Sequence, residues 1–189
     1  MSAILGSEFT FVQINSIGKM KSTILRFGSY GVLTITALSF LIWYLIGVVD
    51  DKWGEVIGYS SMVVSLLFVY FGIKHFRDKE NKGVVSFGKA LLIGMLISLM
   101  AALAFGILDL IYVKFVNPDF MTDYYTGQLE QLQIDLPADE FEIRKSELES
   151  EKAFFMNPLL HFFVMSMTVF VIGFIISLIS AMILQRKEN

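Results

Sequence analysis

The chain has no cysteine, only three prolines and two histidines, and few charges for its 189 residues. Without cysteine there is no disulfide, no thiolate nucleophile and no cysteine-ligated metal. His75 and His161 lie far apart in the sequence, and neither stands in an H-E-x-x-H arrangement. No G-x-S-x-G elbow, Walker loop or glycine-rich phosphate cradle occurs, so the residues nominate no catalytic centre and no cofactor. The net charge of −3 is not gathered into a basic face, which argues against nucleic acid as a partner. What remains is apolar: 55% hydrophobic residues against 17% charged, with a mean hydropathy of +0.64. Those proportions exclude an ordinary soluble domain and point to one helical membrane unit whose first partner is the lipid bilayer.

The clearest span follows Lys89. Its next 22 residues carry one acid, Asp109, and no base. At about 1.5 Å per residue they cross the roughly 30 Å hydrocarbon layer. Ala90, Gly94, Ser98, Ala102 and Gly106 recur every fourth residue, forming a strip of small side chains on which another helix can pack closely. Asn117-Pro118 ends the segment, because proline has no amide hydrogen to donate and restrains the residue before it.

Three more spans read similarly. Residues 28–49 are charge-free, with Trp43 and Tyr44 suited to an interfacial belt and no small-x-small cleavage site after them; they predict an uncleaved signal anchor. A tight turn at Asp50–Gly54 leads to a span over 55–73, where Gly54, Gly58, Ser61, Ser65 and Gly72 form a second small face. Residues 159–184 form the last span, opened by Asn157-Pro158 and carrying Gly173, Ser177 and Ala181 at four-residue intervals. The predicted fold is all-α: an integral membrane four-helix bundle with spans at 28–49, 55–73, 89–113 and 159–184. Between the last two lies an extracytoplasmic insert, 114–157. Within it, Met121 to Leu132 predict a short amphipathic helix on the membrane surface. After Pro137, residues 138–155 predict another, with Phe141, Leu148 and Phe155 a heptad apart and Glu140 paired to Arg144.

Residues 1–27 read as a loose cytoplasmic leader, and 186–189 as a tail. Met20-Lys21-Ser22 has the form of a bacterial translation start, so residues 1–19 are expected to be an over-extended leader; the rival reading is a short interfacial helix. Ten Lys and Arg lie in the leader, the basic Lys74–Gly83 loop with Lys89, and the tail; five lie in the other two loops. The positive-inside rule then puts both termini in the cytoplasm of a bacterial inner membrane.

Ser86-Phe87-Gly88-Lys89-Ala90, the small-residue run from Gly94 to Ala104, Tyr112-Val113-Lys114-Phe115 and the exit Asn117-Pro118-Asp119-Phe120 carry a resemblance, together with the helical insert and final span. Over residues 24–185 the chain resembles the bacterial four-span membrane proteins grouped as domain of unknown function 4199. The stretch before Met20 departs from that pattern. The resemblance implies an integral inner-membrane protein and supplies no catalytic residue.

Two functional classes follow. One is a non-enzymatic structural or accessory membrane component whose small-residue faces associate, as a homo-oligomer or with another membrane protein. The other is a small oligomeric transporter or channel. All three prolines lie in or beside the insert, which leaves the spans unbroken and favours the first. The candidate intramembrane polar pair is Asp109 and His161. Counted from Pro118 and Pro158, they fall at similar depth, where they can meet across the bundle; the bland alternative is that each reaches the headgroups separately.

Overall fold

A computed structural model describes residues 2–45 and 51–186, with side chains described from residue 17 onward and absent from the description at 51–52. Helix α1 covers Ser2–Leu45, α2 Asp51–His75, α3 Phe87–Ile111, α4 Phe120–Asp135, α5 Ala138–Phe155 and α6 Pro158–Leu184. Single π turns, Phe76–Glu80 and Tyr112–Val116, extend α2 and α3. The described residues form no strand beyond one isolated bridge, Val85 to Arg186. Among the described residues, four stretches are long and apolar enough to cross a bilayer: Ile17–Leu45, Trp53–Glu80, Phe87–Val116 and Pro158–Leu184. This is an all-α protein with four membrane spans.

Several boundaries differ from those read in the sequence. The leader is helical instead of loose, since α1 runs unbroken from Ser2 to Leu45. Lys19, Lys21 and Arg26 interrupt the apolar run without interrupting the helix, because long basic side chains bury their stems and keep their heads outside. The expected turn at Asp50–Gly54 falls partly outside the described residues, and α2 already begins at Asp51. The basic Lys74–Gly83 stretch is helical as far as Glu80. Its turn is confined to Lys82 and Gly83, both at positive φ, where the Gly83 amide donates to the Arg77 carbonyl at 2.7 Å. The insert follows the sequence closely: α4 and α5 are packed on one another. Arg144, however, pairs with Glu147 at 2.5 Å, one turn after it, instead of Glu140.

The chain divides into two compact units, Met1–Phe105 with Thr168–Asn189, and Gly106–Met167, so the division falls within α3 and α6. In the first unit Ile35, Leu66, Val69, Ile73, Ile97 and Val169 are fully buried and build the core. Helices α1 and α2 approach at Gly31, where an added Cβ would stand 3.3 Å from the Ser65 carbonyl oxygen. Gly72 similarly admits Ile97 and Phe27. Gly54 and Gly58, by contrast, meet nothing among the described residues, where the small face of α2 is buried from Ser61 onward. In the second unit, the ends of α3 and α6 carry the α4–α5 hairpin. There Leu108, Tyr112, Tyr125 and His161 are buried.

Candidate functional site

Within the first unit the strips on α3 and α6 face each other. Gly94 and Ser98 of α3 lie against Gly173 and Ser177 of α6, and all four residues are buried. A Cβ on Gly94 would stand 2.8 Å from that of Ser177, and one on Gly173 2.5 Å from that of Ser98. Both are closer than real Cβ atoms tolerate, so each glycine is required by the partner's serine. Ser98 Oγ donates to the Gly94 carbonyl at 2.9 Å, and Ser177 Oγ to the Gly173 carbonyl at 2.6 Å, with the two hydroxyl oxygens 3.3 Å apart. The polar atoms are thus satisfied where the backbones are closest. Ala90 and Ala102 of the same strip are buried as well. The helix that packs on Gly94 and Ser98 of this strip is therefore the chain's own last span.

Gly106, the last member of the strip, belongs to the second unit. A Cβ there would collide with Ser166 Oγ and come within 3.0 Å of the Phe162 ring. One turn farther along α3, Asp109 meets His161 of α6: the carboxylate Oδ2 and imidazole Nε2 are in direct hydrogen-bonding contact. The register of that meeting is set by the start of α6. Asn157 caps it, its Oδ1 accepting from the amides of Leu159 and Leu160 at 3.0 and 3.3 Å, with Pro158 at the first helical position. The His161 side chain is 3% exposed and that of Asp109 21%. With Asp109 as a carboxylate, which can only accept, the donor in this contact is Nε2–H. Nδ1 is buried with no hydrogen-bond partner among the described residues, as is Ser166 Oγ. The Phe155 ring from α5 stands edge-on to the imidazole, with centroids 6.1 Å apart.

Around this contact the second unit is aromatic. Tyr112 stacks edge-on with Phe120 at 5.4 Å, and Tyr124 with Tyr125 at 5.4 Å. Burial, and then the nearby Glu151 carboxylate, hold the Tyr125 hydroxyl above its ordinary pKa. Lys114 is exposed. Asp109 accordingly turns inward to histidine. The Asp109–His161 contact can fix the separation and rotation of α3 against α6, but two ligands do not make a metal cage, and no group of three His, Asp or Glu side chains gathers among the described residues. His75, in the first unit, lies 3.7 Å from Glu80 and packs against the Phe27 ring.

Sequence reasoning missed Ser166 and Phe162 as the counterparts of Gly106. Their signal was present: Ser166 stands a heptad before Gly173 and extends the α6 strip toward Asn157. The burial of Tyr112, the first residue of the second π turn, was also missed.

The four long apolar helices and their small-residue packing define a multi-pass helical membrane protein. More narrowly, the chain belongs to the family described as Protein of unknown function (DUF4199), whose model matches residues 26–186. No curated protein and no solved structure matches it.

Proposed function

We propose that this protein is a structural or accessory component of a bacterial inner membrane, with both termini cytoplasmic, acting through its partners and not as an enzyme. The observation that supports this reading best is the closed crossing of Gly94 and Ser98 with Gly173 and Ser177. A path for solute along that seam would need polar groups held apart, whereas here backbone carbonyls satisfy the hydroxyls and glycines remove the space. Because these strips are occupied within the chain, association with a second copy or another membrane protein would use other faces. The ten-to-five distribution of basic residues supports the orientation.

A transporter or channel is the second reading, favoured by one observation: the Asp109–His161 contact within an otherwise apolar stretch. Sealed proteoliposomes separate the two. The accessory reading expects proton and potassium flux equal to that of empty vesicles; flux that disappears in Asp109→Asn would establish the second. Orientation is tested with single cysteines at Ser22, Ser86 and Ser146 and an impermeant reagent on spheroplasts. Labelling at Ser146 alone is expected, and labelling at Ser22 or Ser86 alone would reverse the topology.

A further inference from the structure

The first unit has an apolar groove of about 300 Å³ between α1 and α3. Ile24, Leu25, Leu96, Leu99 and Met100 are among its nine lining residues, and Lys21 is the one charged group among them. We infer that this groove holds one acyl chain of an anionic glycerophospholipid, with the Lys21 ammonium against its phosphate.

The groove has the polarity of such a molecule. Lys19, half a turn before Lys21, lies 3.7 Å from Glu80 at the end of the second span, which fixes Lys21 near that end of the spans. Seven residues later, about 10 Å along the helix, Gly28 lies directly against the Met100 side chain. Lys21 thus supplies the one charge of the lining, and from Ile24 onward the α1 and α3 side chains that line it are apolar. Gly28 is what lets Met100 lie close to α1, and the thioether adapts readily to a flexible chain. The neighbouring cations are otherwise engaged: Lys19 with Glu80, and Arg26 with the Tyr30 hydroxyl at 3.1 Å. Lys21 is exposed and has no carboxylate partner among the described residues, so a phosphate is its fitting counter-charge.

A second copy of this chain fits the groove less well. A two-fold contact through this face would bring one Lys21 toward the other with no acid in the lining to separate them. The lipid brings the missing negative charge with it.

The test uses the full chain, purified and equilibrated with equal amounts of phosphatidylglycerol and phosphatidylcholine of identical acyl chains, and reads retained lipid by native mass spectrometry. One phosphatidylglycerol per chain is expected to survive, in clear excess over phosphatidylcholine. Lys21→Gln, which keeps the stem and removes the charge, should lower that preference about fivefold. Leu99→Trp, which fills the groove, should reduce retention of both lipids, while Arg144→Gln on α5 should leave retention unchanged. Equal retention of the two lipids by the unaltered chain would overturn the inference. So would a preference untouched by Lys21→Gln, or a dimer that excludes lipid and is broken by Leu99→Trp.

Discussion

The two units close the same pair of helices in different ways. In the first, α3 and α6 are joined where Gly94 and Gly173 have no side chain and Ser98 and Ser177 bond to their own helix carbonyls. In the second, one hydrogen-bonded polar contact, Asp109 with His161, is flanked by large rings, including Phe155 from the helical hairpin. The first kind of contact depends on the absence of atoms, so nearly any added bulk harms it. The second depends on two matched groups, so losing one is costly and replacing both together is cheap. A lipid-facing bundle gains little hydrophobic drive between its helices, which is why close packing must supply the first contact.

Gly94→Leu should have the largest effect, lowering stability by about 3 kcal/mol because its side chain has no space beside Ser177 and Val69. Leu92→Phe, about half a turn away on the exposed face, should leave detergent melting almost unchanged. Asp109→Ala comes next, at roughly 2 kcal/mol, since it strands the buried imidazole. Combining Asp109→Leu with His161→Phe should recover most of that loss. A double variant as unstable as Asp109→Ala would remove the distinction between the two kinds of contact.

The hairpin should respond to alkali. With its folded-state pKa raised above the ordinary 10.0, Tyr125 contributes stability that is complete below that value and disappears as pH rises through the higher, folded-state value. Tyrosine fluorescence followed upward from pH 10 should report loosening that Tyr125→Phe reduces. Smallest of all, Arg144→Ala should cost under about 0.5 kcal/mol in the same melts, because both partners of its ion pair are more than half exposed.

Much of this was legible in the residues. Asn157-Pro158 marks the start of α6, and Pro137 with the Phe141, Leu148 and Phe155 heptad marks α5. Counting from the two Asn-Pro pairs brings Asp109 and His161 to one depth, which is where they meet. The continuation of α1 through residues 2–27 was hidden because run length was judged by charge, and snorkelling lysines do not break a helix. The end of α2 was hidden for a related reason: Lys, Arg and Glu are good helix formers, and the turn belongs to Lys82 and Gly83 alone. Arg144 reaches residues three or four away equally well, so its choice of Glu147 is a rotamer, which spacing does not specify.

The central claim is that the small-residue strips of α3 and α6 are spent on each other within one chain. The Ser98 and Ser177 hydroxyls, 3.3 Å apart, make a direct test possible in a protein with no native cysteine. Ser98→Cys combined with Ser177→Cys, oxidised in native membranes and run without reductant, should give a monomer crosslinked within the chain, and neither single variant should crosslink. A disulfide-linked dimer from either single variant would show that these strips join separate chains, and would contradict the account.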